Sequence, residues 1–84
     1  MGEAISVDQL KEEAQRAYQS KNYLKAAQTF TAAADGYSHL NEELLAAEML
    51  NNASVAYLQA DQPEKALESA IDTDQVFYAA GDLR

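Results

Sequence analysis

The stretch KNYLKAAQTF at residues 21–30 returns forty residues later as DQPEKALESA at 61–70. A chain of 84 residues that states one pattern twice is constrained more by that echo than by its composition. A unit of this length that repeats is a supersecondary element that cannot bury its apolar face alone and is covered by a stacked neighbour. Around the echo, apolar and small residues recur every three or four positions, the spacing of one helix face, and nowhere alternate as a strand requires. Only three glycines and one proline interrupt the chain, and no linker or low-complexity tract divides it. The expectation is one all-α domain over residues 1–84.

Four helices follow from the punctuation. The first opens at Ser6, whose hydroxyl is placed to accept from the amide of Gln9 while the Gln9 side chain reaches back, as in a capping box. Asp8 stands in its first turn, where the helix dipole favours an anion. Its stripe is Leu10, Ala14, Ala17 and Tyr18. After QSKN at 19–22 a second helix starts near Tyr23 and carries Ala26, Ala27, Phe30, Ala33, Ala34 and Tyr37. HLNEE forms the next connection and places His39 in a turn, with Asn41 as the expected cap and Glu42 and Glu43 in the first turn. The third helix carries Leu44, Ala47, Leu50, Ala53, Ser54 and Tyr57. Pro63 suits the first turn of a fourth helix, where no amide hydrogen is needed. That helix carries Ala66, Leu67, Ala70 and Phe77, with Gly81 in AAGD as its stop. The abundant alanines read as contact points at which two helix backbones approach closely.

These positions resemble the tetratricopeptide repeat (TPR) family. The first unit, about residues 7–39, supplies Leu10, Ala14, Tyr18, Tyr23, Ala26, Phe30 and Ala33. The second, about 41–80, supplies Leu50, Ser54, Tyr57, Pro63, Ala66, Ala70 and Thr73, and residues 81–84 read as the start of a truncated third. The match is good in the first unit and weaker in the second, where Ala70 stands in the place of Phe30. The common TPR period is about 34 residues. The forty found here is close to two helical turns longer, as in the long-period variants of the family. The resemblance implies two stacked helix-turn-helix hairpins, four antiparallel helices in all, forming a fragment of a right-handed α-solenoid. A three-helix MIT domain with a TPR-like hairpin is the competing fold; the echo and the fourth helix speak against it.

Composition narrows the function. Six basic against fourteen acidic residues give a net charge of −8. Nucleic acid is held chiefly by Lys and Arg on phosphates, so a nucleic-acid partner is not expected. An acidic chain is also repelled by anionic membranes, and no apolar run approaches the roughly 20 residues that span a bilayer. With no cysteine and no signal-peptide pattern, the expected location is the cytoplasm. No catalytic set assembles: there is no cysteine, and the lone His39, beside Ser38, lacks a nucleophile and an orienting partner at triad geometry. Asp72-Thr73-Asp74 lacks the glycine and later glutamate of a calcium loop. No enzyme activity, metal or cofactor is expected.

What remains is a binding face. In TPR proteins the first helix of each pair lines a groove that holds a peptide. The resemblance places Lys11, Gln15, Tyr18 and Gln19 there from the first helix, and Glu48, Asn51, Asn52, Val55, Leu58 and Gln59 from the third. Asn and Gln each offer a donor and an acceptor, so they can pair with a peptide backbone of any sequence. The expected function is protein–protein interaction with a protein or peptide partner. The alternative is assembly, in which a homodimer forms through an exposed terminal helix face. A narrower alternative is the carboxylate clamp that some family members use for acidic chaperone tails. Lys11 and Asn52 match two of its positions, but Gln15 replaces the expected Asn, and its other cations would lie in a third repeat.

Overall fold

A computed structural model of the chain describes residues 6–71. Four helices and no strand occur among the described residues. They are α1 (Val7–Gln19), α2 (Tyr23–His39), α3 (Glu43–Gln59) and α4, which is described over 63–71. α1 packs against α2 and α2 against α3, and the Ser54 hydroxyl of α3 donates to the Ala66 carbonyl of α4 at 3.0 Å.

The start of α1 is the capping box read from the sequence. The Gln9 amide donates to Ser6 Oγ at 3.1 Å and the Ser6 amide donates to Gln9 Oε1 at 3.0 Å. Two amides that the helix itself cannot satisfy are thereby paired. The start of α3 differs from expectation. Glu42 is the cap residue, without a side-chain bond, and the helix begins at Glu43. Asn41 instead has a φ of 62°. It therefore terminates the preceding helix in the left-handed region, which an asparagine tolerates better than most residues. HLNEE is accordingly a shorter connection than expected, with His39 the last residue of α2.

The three connections share one backbone conformation. Lys21, Asn41 and Asp61 have φ values of 64°, 62° and 63°. The next amide in each case, of Asn22, Glu42 and Gln62, reaches back to the carbonyls of Ala17, Tyr37 and Tyr57 at 2.8, 2.9 and 2.8 Å. The amides of Lys21, Asn41 and Asp61 donate to Tyr18, Ser38 and Leu58. This pair of bonds is the Schellman motif, which normally places glycine at the left-handed position. The three turns fall every twenty residues, so the backbone repeats at half the interval of the sequence echo. In this register Ala17, Tyr37 and Tyr57 are equivalent. Tyr57 is therefore the counterpart of Ala17 and not of Tyr18, whose own counterpart forty residues on is Leu58.

Alanine dominates the core. Eleven of the fifteen buried apolar residues among those described are alanines, and the larger ones are Phe30, Tyr37, Met49 and Tyr57. With so little side-chain volume at the contacts, the helices must sit close for the interior to be filled. The whole expected stripe of α2 is buried. On α3 the buried set is Ala46, Ala47, Met49, Ala53, Ala56 and Tyr57, whereas Leu44 is 63% exposed. Leu67 of α4 is likewise turned out, at 62% exposure, while Ala66 is buried. Gly36 brings α2 close to α1: a Cβ added there would lie 2.7 Å from Val7 Cγ2. Phe77, Gly81 and Thr73 lie outside the described residues.

Candidate functional site

Gln15, Tyr18 and Gln19 leave α1 on one face because they are spaced three and four residues apart. Asn52 and Val55 of α3 follow the same spacing. The structure brings these five residues together around a groove of about 520 Å³, partly open to solvent, with Phe30 of α2 also in its wall. Phe30 is buried and belongs to the core cluster, so the groove wall is continuous with the packed interior. Tyr18 is positioned by the first turn. Its ring meets that of Tyr23 edge-to-face, with centroids 5.1 Å apart and planes at 71°, an arrangement the ring quadrupoles favour.

Five of the residues expected in the groove are not in its lining. Lys11 is half-buried one turn before Gln15, and Glu48 and Asn51 are exposed on the first half of α3. Leu58, 60% exposed, and Gln59 are turned to solvent near the end of α3. The lining is thus the last part of the expected face on α1 and the middle of it on α3. Phe30 was assigned to the core from its spacing, and its second role as groove wall has no signature in the sequence. All six lining residues are uncharged. The site offers three carboxamides, one phenol and two apolar side chains. It can donate and accept hydrogen bonds and cover apolar surface, but it holds no fixed charge.

A second depression of about 410 Å³ lies beside the first turn, among Glu13, Arg16, Ala17, Ser20, Asn22 and Lys25. It is polar and mixes both charge signs. Elsewhere Tyr37 donates from its hydroxyl to Asp8 Oδ1 at 2.7 Å, which ties α2 to the first turn of α1. This bond, burial, and the charges of Asp8, Glu48 and Glu42 push the Tyr37 hydroxyl up to about 12. His39 Nδ1 lies 2.8 Å from the Asp35 carbonyl oxygen on an exposed stretch of α2. Among the described residues no group of three His, Asp or Glu converges as a metal site, and no buried side-chain nitrogen or oxygen lacks a partner. No helix among them is long and apolar enough to cross a membrane. Asp72 and Asp74 lie outside the described residues.

Comparison of the chain with protein-family models, with curated proteins and with solved structures finds no match.

Proposed function

We propose that the chain is a TPR-type stack of antiparallel helices that binds a segment of a partner protein, without catalysis, in the groove between α1 and α3. The observation that carries this reading is the lining itself: Gln15, Gln19 and Asn52 set around Tyr18, Phe30 and Val55. Carboxamides pair with a peptide backbone irrespective of its side chains, while the rings and the valine take up an apolar side chain. The neutral lining favours an uncharged stretch of partner. It disfavours the carboxylate clamp, since Lys11, the one cation that alternative places on α1, stands outside the lining. Nucleic acid and membrane are not partners in this reading, and no cofactor takes part.

The test is selection of a displayed random-peptide library on the folded chain, followed by mapping of the amide shifts that a selected peptide causes. Shifts centred on Gln15, Tyr18, Gln19, Asn52 and Val55, lost in a Gln15→Ala/Asn52→Ala double variant of unchanged helicity, support the groove. Peptides that shift residues elsewhere, or bind the double variant equally well, refute it.

A further inference from the structure

The groove lining is uncharged, but the helix faces that form it carry charge where they leave it at one end. Glu48 stands one turn before Asn52 and two turns before Val55, on the stripe of α3 that enters the groove. It is exposed and makes no ion pair among the described residues. α1 brings Asp8 and Glu12, both exposed, to the same end. Tyr37 ties these groups together: its hydroxyl donates to Asp8 and its carbonyl accepts from the Glu42 amide. The bond to Asp8, burial, and the charges of Asp8, Glu48 and Glu42 push that hydroxyl up to about 12. Lys11, half-buried one turn before Gln15, offsets one of these negative charges. In the other direction the face of α3 runs on to Leu58, 60% exposed, and Gln59, without charge. The path between α1 and α3 is therefore acidic at one end, carboxamide-rich in the middle and apolar at the other.

We infer that the partner segment held in this groove carries a Lys or Arg over Glu48 and an aliphatic or aromatic side chain against Tyr18, Val55 and Leu58. The inference rests on the groove reading above and names the chemistry of its partner, a basic–apolar peptide segment. Val55 follows Glu48 by seven residues. At the rise of a helix that is about 10 Å, which an extended chain lying along α3 covers in about three residues. The stretch between the two anchors is uncharged and pairs its backbone with Gln15, Gln19 and Asn52. A basic segment is drawn toward a chain of net charge −8, and an acidic one is repelled. Complementarity of this kind sets which partner is accepted and in which direction it lies more than how tightly it is held.

The test selects displayed random peptides in parallel on the 84-residue chain, on Glu48→Gln and on Glu48→Lys, and places each selected peptide by the amide shifts it causes. Glu48 is exposed, so both variants should keep the helicity of the parent. The expected peptides shift Gln15 and Asn52 and carry a Lys or Arg about three residues from an apolar residue. Replacing that basic residue by Gln should weaken binding to the parent about two- to fivefold, the range of an exposed ion pair. The same replacement should not change binding to Glu48→Gln, and added salt should narrow the difference on the parent. Glu48→Lys should select acidic residues at that place instead. Peptides that sit on Gln15 and Asn52 with no basic preference, or with one that survives in Glu48→Gln, overturn this inference and leave the groove reading standing. Peptides that bind elsewhere, or a selection that yields none, overturn both.

Discussion

Replacing Gly36 by alanine sets two calculable effects against each other. Within a helix, alanine is favoured over glycine by about 0.8–1.0 kcal/mol, so the change would stabilise α2 if space allowed. It does not. The new Cβ would lie 2.7 Å from Val7 Cγ2 and 3.1 Å from Cγ1, whereas carbon atoms settle at about 3.5–4.0 Å. Val7 cannot simply rotate away. Its branched side chain has one strongly preferred rotamer in a helix, and it is the first residue of α1, next to the capping box. The ends of the two helices must part by some tenths of an ångström, an overpacking that costs about 1–3 kcal/mol. Gly36→Ala should therefore be neutral to destabilising by about 2 kcal/mol, the difference of those terms. In a Val7→Ala background both Cγ atoms are gone and Val7 Cβ, at 3.5 Å, is an ordinary contact. There the same substitution should stabilise by nearly the full helix preference. Urea unfolding of the parent, both single variants and the double variant closes the cycle, with an expected coupling of about 1–3 kcal/mol. If the two changes add to within about 0.5 kcal/mol, the close approach of α1 and α2 is not real.

Lys21→Gly should raise stability by about 0.5–1 kcal/mol, because glycine enters the left-handed region without the Cβ clash that lysine bears; Asn41→Gly should gain less, and thermal melts of the two variants rank them. Ala26→Leu should destabilise by about 1–3 kcal/mol through overpacking, since Ala26 is fully buried; an unchanged melting midpoint would show that it does not sit at a tight contact. Tyr37→Phe should cost about 1 kcal/mol at neutral pH through loss of the bond to Asp8. The hydroxyl titrates near 10 when unfolded and near 12 when folded. Its contribution is thus complete below pH 10 and lost as pH rises from 10 to 12. Across that window the parent should lose stability more steeply than Tyr37→Phe in denaturant titrations, and parallel curves would remove the Tyr37 assignment.

The helices were legible because their apolar positions and starts agree. On α2 the residues between the stripe positions are mostly polar, so only one face could be buried, and that face is buried in full. α3 offered no such contrast. Leu44, Leu45, Ala46, Ala47, Met49 and Leu50 surround the helix, so spacing could not fix which side turns inward, and Leu44 was assigned to the wrong one. The turns were hidden for another reason. Lys21, Asn41 and Asp61 share a backbone angle and no side-chain chemistry, so the turn positions themselves carry no residue signature. The groove was half legible. The resemblance pointed to ten residues along α1 and α3, of which Gln15, Tyr18, Gln19, Asn52 and Val55 line one groove; which turns come together depends on how closely the alanine contacts let the helices pack.

The turn is built from main-chain bonds alone, which separates two lengths that the chain keeps in different places. The backbone returns to the same conformation every twenty residues, while five of the six residues that line the groove belong to α1 and α3, two helices that start about forty residues apart. An in-frame excision of twenty residues would leave every joint intact yet set helices of the wrong kind side by side, giving a folded chain without a groove. An insertion of forty would preserve both. For a chain of this design, growth keeps the groove only when it comes in pairs of helices.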